Sequence, residues 1–371
     1  MQISELSSAL PKSGYSTEEL IETFPCRLPE GVRQNVLNLG VSKRYLVNQA
    51  DSLTSETVMS ETGIVDLCSK ACQNAMRKAH LLVEDIDCLV VAYDVNPFLS
   101  PGLSQLLVPK LGLNPYVRHV NAQGIASTAF MKTLELAQNN LAAHPKDNVL
   151  ICVSGVSSYW FQNQVRKLKS VMEISQVNSM SDRARRETEL RKWVATMQFF
   201  LFGDGTAAAI VKNDNEGLAV KEIAEVTNTG KNDYLAGYAR LSALPEPFKF
   251  GFHSHLDKEI PKLGAEYTDL VLKKLLGKNA ENTFKSAKKW AVHTGSEKIL
   301  NLIAERHNID LEKLRESHEV LREYGNLSGA SLPFILEKII AGSKLSQGDT
   351  VLMLGYGWGF SASACLLEFR G

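Results

Sequence analysis

Stretches of helical periodicity alternate with continuous apolar runs in the first half of the chain. Apolar and small residues recur at helical spacing over residues 54–80, and again over 128–142. The segments DIDCLVVAYDV (85–95) and NVLICVSGVSS (148–158) are instead almost continuously apolar, as is typical of strands buried on both faces of a parallel sheet. This alternation predicts a layered α/β fold.

A long charged segment at residues 161–196 departs from that alternation. Its period is helical, and we interpret it as an insertion that forms either a solvated helical hairpin or a lid or partner surface. The next segment, QFFLFGDGTAAAIVKN (198–213), places two apolar runs around a Gly-Asp-Gly turn. A turn between two apolar runs predicts a hairpin or a tight strand crossing.

The second half of the chain repeats the same order of elements. Helical periods over 264–276 and 280–289 precede an apolar strand at WAVHTG (290–295), and another helix follows over 296–307. The segment DTVLMLGYGWGFSASACLLEF (349–369) again places glycines between two apolar runs. The second half is therefore expected to be a layered α/β unit as well.

Two pairs of segments match between the halves. GIASTAFMKTLEL (124–136) resembles SGASLPFILEKII (328–340), and FFLFGDGTAAAIV resembles LMLGYGWGFSASACLL. Each half therefore supplies a helix with a small-residue N-terminus and a glycine-rich strand pair. We predict a duplicated fold with halves at 1–215 and 216–371 and one shared site.

Composition narrows the range of functions. At 371 residues the chain exceeds the usual size of one domain, which agrees with two halves. The 41 Lys and Arg residues balance 41 Asp and Glu residues, so charge gives no argument for nucleic acid or an anionic membrane as a partner. We expect no membrane span and no secretion signal, because neither pattern is present in the sequence.

The cysteines and histidines give no pattern of a metal site. The one close cysteine pair, Cys68 and Cys72, has no second pair to complete a zinc site. His253 and His255 alternate like one face of a strand, but no third ligand lies at usable spacing. We therefore expect no metal, reduced thiols and a cytoplasmic protein.

Three segments combine a reactive side chain with small neighbours. Ser127 lies in QGIASTAF, His293 in WAVHTGSEKIL and Asn326 in YGNLSGAS. The unpaired N–H groups of a helix N-terminus favour a nucleophilic anion and can bind an oxyanion. A histidine exchanges protons near neutral pH, and an asparagine amide can stabilise an enolate. Each segment alone is equally compatible with a plain helix cap, a packed histidine or a turn.

In combination, these segments resemble the condensing enzymes of the thiolase superfamily. GNLSGASLPFIL is similar to the GN-x-S-x-A-S motif of ketoacyl-ACP synthase III, and also to chalcone synthase-like type III polyketide synthases. WAVHTGSEKIL resembles their catalytic histidine segment, FLFGDGTAAAIV their FGDGA-A segment and GYGWGFSASACLL their C-terminal glycine motif. The resemblance covers nearly the whole chain and implies a duplicated, five-layered αβαβα thiolase-like fold and a dimer.

The resemblance also implies roles for the three reactive residues. His293 and Asn326 would activate or stabilise a thioester enolate during decarboxylative condensation. The family carries a nucleophilic cysteine at the start of the buried first-half helix, where this chain has Ser127. A second register, which aligns the Gln-Gly pair of this chain with that of chalcone synthases, would place Ile125 there and leave no nucleophile. We prefer Ser127 because it needs no gap inside the helix.

A serine in place of the cysteine changes the expected chemistry. An alkanol has a far higher pKa than a thiol, so Ser127 would need His293 as general base and condensation would be slow. Three explanations stay open: a Cys-to-Ser substitution made for structural work, a natural serine acyltransferase that need not condense, or a catalytically reduced subunit of a heteromeric synthase. The preferred function is acyl transfer to residue 127, followed by carbon–carbon bond formation with a malonyl or β-ketoacyl thioester in polyketide or fatty acid biosynthesis.

Substrate delivery is implied by the resemblance alone. Family members receive acyl groups from CoA or an acyl carrier protein, and no tightly bound cofactor is implied. Arg33, Lys43 and Arg44 are candidate contacts for the phosphates of the carrier. The backbone at Gly357 and the amide of Phe360 are candidate parts of an oxyanion hole. The partner in the dimer could be a second copy of the chain or a homologous synthase.

Overall fold

The computed structural model describes residues 1–47, 61–96, 98–243, 250–257, 259–277 and 280–371. The strands in these parts are β1 (Gln2–Ala9), β2 (Ser13–Ser16), β3 (Lys43–Leu46), β4 (Cys88–Tyr93), β5 (Arg118–Gln123), β6 (Val149–Gly155), β7 (Gly205–Lys212), β8 (Gly217–Thr227), β9 (Gly237–Ala243), β10 (Phe250–Leu256), β11 (Lys289–Val292), β12 (Thr350–Gly357) and β13 (Ser361–Arg370). The helices are α1 (Thr17–Glu22), α2 (Glu30–Leu37), α3 (Glu61–Lys78), α4 (Leu103–Leu111), α5 (Ala129–Ala143), α6 (Ser158–Val165), α7 (Ile174–Asn178), α8 (Arg183–Leu201), α9 (Ile260–Leu276), α10 (Ala280–Ser286), α11 (Glu297–Arg306), α12 (Arg315–Tyr324) and α13 (Ser331–Gly342).

Both halves contribute strands to one nine-stranded sheet, in the order β11-β12-β13-β8-β1-β7-β6-β4-β5. In the first half β4 lies parallel to β5 and β6, and β7 and β1 continue antiparallel. In the second half β11 and β12 are parallel, and β13 and β8 continue antiparallel. The halves meet where β1 pairs with β8. The strand directions therefore repeat, as expected for a duplicated fold.

Helices cover both faces of each half of the sheet. The buried core around α5 and α13 contacts strands of both halves and includes Phe130, Leu134 and Ile335. A second core packs α3 and α4 against the other face of β4 and β6. A third packs α9 and α11 against the other face of β11 and β12. The resulting order is helix, sheet, helix, sheet, helix, which confirms the α/β, five-layered αβαβα thiolase-like architecture that the sequence predicts.

Most of the buried strands and helices near the candidate residues lie where the sequence predicts them. β4, β6, α5, β11 and α11 lie where the apolar runs and helical periods place them. The predicted helix at 54–80 is confirmed from Glu61 onward, and its first part lies outside the described residues. The predicted boundary near 215 falls between β7 and β8.

The segment at 198–213 differs from the prediction. Its first apolar run is the buried last turn of α8, which ends at Leu201, and only Gly205–Lys212 forms a strand. A short apolar run does not distinguish a strand from a buried helix end. The helix α8 extends through this run, and its Phe199 and Phe200 pack on Phe24 in a core separate from the three described above.

The charged segment at 161–196 is helical, as its period predicts. It comprises most of α6, the short helix α7 and the first part of α8. The first turns of α8 are exposed over 183–188, whereas its last turns are buried. α6 and α7 both pack on α8. The segment is therefore helical, with buried positions in α6 and at the end of α8 and an exposed stretch at the start of α8. The choice between a solvated hairpin and a lid or partner surface stays a prediction.

The packing of the two halves depends on Gly155 at the end of β6. A Cβ atom there would overlap the backbone carbonyl of Leu327, which belongs to the second half. We expect Gly155→Ala to lower the free energy of unfolding by about 3 kcal/mol, since backbone must move to accept the methyl group. Urea denaturation followed by circular dichroism measures this loss.

Gly342→Ala is the matched control, because nothing lies within 4 Å of the position of its Cβ atom. This change should alter stability by less than about 1 kcal/mol. Equal stabilities of the two variants would contradict the packing described for Gly155.

Candidate active site

Ser127 lies in a sharp turn between β5 and α5. The chain reverses through Gly124, whose φ is 79°, and Ala126, whose φ is 42°, before a short 3-10 helix at Ala126–Thr128 leads into α5. A positive φ is costly for a residue other than glycine and is often retained at functional sites. Ser127 is 7% exposed. We call residues 124–128 the first-half turn.

Asn326 lies in the equivalent turn of the second half. This second-half turn, residues 325–330, contains positive φ angles at Gly325 (76°) and Ser328 (49°) and ends in a 3-10 helix at Ser328–Ala330 that leads into α13. The short helices of the two turns start at Ala126 and Ser328, so these two residues correspond in the structure. The sequence match pairs Ser328 with Gly124 instead. The structural repeat therefore differs from the sequence match by two residues.

The two turns are in direct backbone contact. A Cβ atom on Gly329 would lie 2.7 Å from the Cβ of Ala129 and 3.0 Å from the carbonyl oxygen of Ala126. The start of each buried helix therefore faces the other across the boundary between the halves. Because helix N-termini carry free N–H groups and partial positive charge, this contact concentrates donors beside Ser127.

Two glycines of β12 allow that strand to approach Ser127. A Cβ on Gly355 would lie 3.0 Å from the carbonyl oxygen of Ser127, and one on Gly357 would lie 3.1 Å from its nitrogen. Gly357 is thus next to Ser127, and its part in an oxyanion hole stays a prediction. The Phe360 amide does not fit that role, because it donates to Oδ1 of Asn228 at 2.9 Å and is already satisfied.

His293 follows β11 and is held by its backbone and by Tyr356. Its N–H donates to the carbonyl oxygen of Leu354 at 2.9 Å, and its ring meets the ring of Tyr356 edge-on at 5.5 Å. The Tyr356 hydroxyl donates to the carbonyl oxygen of His293 at 3.3 Å. Burial lowers the pKa of His293 to about 3. The imidazole is therefore neutral at physiological pH and keeps one nitrogen that can accept a proton.

The backbone and the side chain of Asn326 are both fixed. Its N–H donates to the carbonyl oxygen of Leu201 at 2.9 Å, and its own carbonyl accepts from Gly203 at 3.2 Å. The N–H of Ser328 donates to Oδ1 of Asn326 at 2.8 Å. This bond leaves the side-chain NH₂ group as the free donor.

The structure brings Ser127 and Asn326 to facing turns and places His293 at the carboxyl end of a second-half strand. All three side chains are buried, with 7%, 5% and 2% exposure for Ser127, Asn326 and His293. Within the described parts of the chain, no hydrogen bond links these three side chains to one another. Nδ1 of His293 also has no partner there.

The three basic candidates differ in accessibility. Arg44 is fully buried, donates to Oγ1 of Thr17 at 2.8 Å and lies over the ring of Phe200. Burial lowers its pKa to about 9. A phosphate at the surface cannot contact a side chain in this position, so the prediction for Arg44 is wrong. Lys43 is exposed and Arg33 is half-buried, so both stay candidates.

Two carboxylates at the same edge of the sheet were not among the candidates from the sequence. Asp204 accepts hydrogen bonds from the backbone of Val47, Ser157 and Ser158 and from the Ser158 hydroxyl. Asp94 directly follows β4 and accepts a long hydrogen bond, 3.5 Å, from the hydroxyl of Ser157. For Asp94 the available signal was an acidic residue directly after a buried strand, since parallel strands bring their carboxyl ends to one edge. Asp204 instead precedes β7, which is antiparallel to β6, so it reaches the same edge from the other strand end.

Two further properties concern only the described residues. No three His, Cys, Asp or Glu side chains among them form a group that could hold a metal ion. None of their helices combines the length and the apolar character needed to cross a bilayer.

The chain matches one family profile over part of its length, and it is similar to known proteins over most of its length. Residues 247–368 match the family described as "Chalcone and stilbene synthases, C-terminal domain". The chain is 24% identical to the 3,5-dihydroxyphenylacetyl-CoA synthase of Amycolatopsis balhimycina, over 98% of this chain and 92% of that protein. It is 25% identical to a β-ketoacyl-[acyl-carrier-protein] synthase III of Clostridium perfringens, over 89% of this chain and 88% of that protein.

A solved structure has the same fold over its whole length. The 1,3,6,8-tetrahydroxynaphthalene synthase of Streptomyces coelicolor, a bacterial type III polyketide synthase, superposes with a TM-score of 0.77 at 20% identity and covers 100% of both chains. The chain has the fold of this synthase, and it is similar over nearly its whole length to condensing enzymes of the type III polyketide synthase and ketoacyl-ACP synthase III kinds. This similarity indicates a condensing enzyme and hence a transferase.

The protonation state of His293 is a testable property of this site. Because burial disfavours the imidazolium form, its pKa is lowered to about 3. Histidine-selective NMR should show one ring whose chemical shifts stay constant between about pH 8 and pH 5. The His293→Gln variant should lack this signal, which assigns it.

The urea-unfolded chain is the control for the titration, because its histidines should titrate near about pH 6.5. A midpoint near that value for His293 in the folded protein would contradict the buried, neutral ring.

Proposed function

We propose that this chain transfers an acyl group from a CoA thioester to residue 127 and then condenses it with a malonyl or β-ketoacyl thioester. The observation that carries the proposal is the placement of Ser127 on the first-half turn, against Gly357 and facing the turn of Asn326. A neutral, buried His293 at the end of β11 is the proposed proton acceptor. The class of the relatives supports condensation as the second step.

In the proposed acyl transfer, the neutral imidazole of His293 accepts the proton of the Ser127 hydroxyl. The serine oxygen attacks the thioester carbonyl, the C–S bond breaks, and the CoA thiolate takes the proton back from the imidazolium. Donors at the start of α5 and the backbone beside Gly357 would stabilise the oxyanion. The low pKa of His293 makes it a weak base, so the step would be slow with serine.

In the proposed condensation, a malonyl thioester loses carbon dioxide and leaves an enolate. The N–H of the neutral His293 ring and the NH₂ group of Asn326 would donate to the enolate oxygen. The enolate carbon attacks the acyl ester at residue 127, a carbon–carbon bond forms, the ester C–O bond breaks, and the serine oxygen takes up a proton from the solvent to give back the hydroxyl. Asn326 suits this role because Ser328 fixes its Oδ1 and leaves the NH₂ group free.

The proposed carrier of the acyl group is CoA. Several relatives are named as synthases of CoA thioesters or as type III polyketide synthases. Arg33 and Lys43 are the accessible basic candidates for its phosphates. All six cysteines are free thiols, which supports a reducing, cytoplasmic location.

The acyl-enzyme step predicts a covalent adduct at residue 127. Incubation with a panel of acyl-CoAs should add one acyl mass to the intact protein, and peptide mapping should place it on Ser127. Ser127→Ala should abolish the adduct, whereas Ser127→Cys should form it at least tenfold faster, because a thiolate is the better nucleophile.

Ser179→Ala is the control, since this exposed serine lies far along the chain in the charged segment. It should leave adduct formation unchanged. Absence of an adduct in both the parent chain and Ser127→Cys would favour the second candidate, a catalytically reduced subunit of a heteromeric synthase.

A dimer through β5 is also proposed. β5 is an edge strand of the nine-stranded sheet and most of its side chains are exposed or half-buried. An exposed edge presents unpaired N–H and C=O groups that pair readily with another strand. Tyr116, which shortly precedes β5 in sequence, is 92% exposed, as expected for a residue that a second copy covers.

Light scattering after size exclusion tests the dimer. The parent chain should elute at twice its mass of 41.0 kDa. Val120→Lys, in the middle of β5, should give the monomer because an edge lysine opposes strand pairing. Leu311→Lys changes an exposed leucine elsewhere and should stay dimeric; a monomeric parent chain would refute the proposal.

A further inference from the structure

Asp94 lies at the carboxyl end of β4, between the strands that lead to Ser127 and Ser157. Tyr93, the last residue of β4, pairs with Gln123 of β5 on one side and with Ser154 of β6 on the other. Because these strands are parallel, the residues that follow them share one edge of the sheet. Neighbouring strands lie about 4.8 Å apart, so Asp94 is about one strand spacing from the first-half turn.

The carboxyl group of Asp94 has only neutral neighbours among the described residues. The hydroxyls of Ser328 and Ser157 favour its ionised form, but burial outweighs them and raises the pKa to about 6. No lysine, arginine or histidine of the described chain forms an ion pair with it, and the next carboxylate in the network, Asp204, is linked through Ser157. Asp94 is half-buried as a residue. A desolvated acid with no ion-pair partner among the described residues is typical of a functional site.

Asp204, a carboxylate at the same edge of the sheet, has donors for its acceptor positions. Its two oxygens accept four hydrogen bonds, three from backbone N–H groups and one from a hydroxyl. A carboxylate offers about four acceptor positions, so Asp204 has none to spare. Among the described residues, Asp94 has two hydroxyl donors, those of Ser157 and Ser328. Two donors leave some of its acceptor positions open for a ligand.

We propose that Asp94 selects acyl groups that carry an oxygen on the β-carbon, by accepting a hydrogen bond from a β-hydroxyl or from the enol of a β-keto group. Asp94 follows the strand next to the one that leads to the first-half turn, and the hydroxyl of Ser328 in the second-half turn donates to it, so its carboxylate borders both turns. Since an ionised carboxylate only accepts, the ligand must supply the donor. The inference rests on the proposed acyl site at residue 127 and names its substrate class.

The test compares octanoyl-CoA with 3-hydroxyoctanoyl-CoA in binding to the full chain carrying Ser127→Ala, measured by titration calorimetry at pH 7.5. This background forms no covalent adduct, so binding is measured apart from turnover. The hydroxylated probe should bind about tenfold more tightly, as a hydrogen bond to a charged group allows. Adding Asp94→Ala should remove the preference.

Asp94→Asn retains the shape of the side chain and keeps the experiment interpretable if Asp94→Ala unfolds. The amide should give a smaller preference that does not change with pH. With Asp94 in place, the preference should fall as the pH drops from about 7.5 to about 5, because protonation removes the charge of the acceptor. Asp66→Asn, which changes an exposed acid paired with Lys110, should keep the full preference.

Two results would overturn the proposal, and they have different meanings. If both probes bind equally to the chain that keeps Asp94, or if the preference survives in Asp94→Ala, Asp94 does not select the acyl group. In either case the proposed acyl site at residue 127 is not contradicted. If neither probe binds, the acyl site at residue 127 fails together with the inference.

Discussion

Close backbone contact between the two halves is the constraint on which the site depends. Gly155 lies against the carbonyl of Leu327, Gly329 against Ala126, and Gly357 against Ser127. Any side chain at these positions would separate the turns that begin the two buried helices. The small residues that look like a weak motif in sequence are therefore the condition for bringing Ser127 and Asn326 into one buried space.

Much of the fold follows from the sequence because its pattern is strong. Buried strands such as β4 and β6 are continuously apolar, and α5 has a clear helical period. The end of α8 was misassigned because a short apolar run does not distinguish a strand from a buried helix end, and the packing of Phe199 and Phe200 against Phe24 is a long-range contact. The two-residue shift between the repeats depends on backbone angles at Ala126 and Ser328, which residue types do not reveal.

The candidate site residues come from sequence, whereas their electrostatics depend on the fold. Ser127, His293 and Asn326 were chosen because each lies beside small residues in a recognisable segment, and the roles assigned to them stay predictions. The burial of Arg44 and the engaged amide of Phe360 were not, because both depend on neighbours remote in sequence. The unpaired state of Asp94 depends in the same way on β5, β6 and the second-half turn.

If Ser127 is the nucleophile, as proposed, acyl transfer to it should be slower than to a cysteine thiolate, whereas the proposed stabilisation of the enolate by His293 and Asn326 does not depend on residue 127. The most direct test is a reaction of the chain with an acyl-CoA and malonyl-CoA labelled with ¹³C at its methylene carbon, followed by mass spectrometry of the products. The account predicts a β-ketoacyl product that contains the acyl chain and the label, formed faster by Ser127→Cys. Recovery of the label only in malonyl-CoA or acetyl-CoA, with both chains, would contradict it.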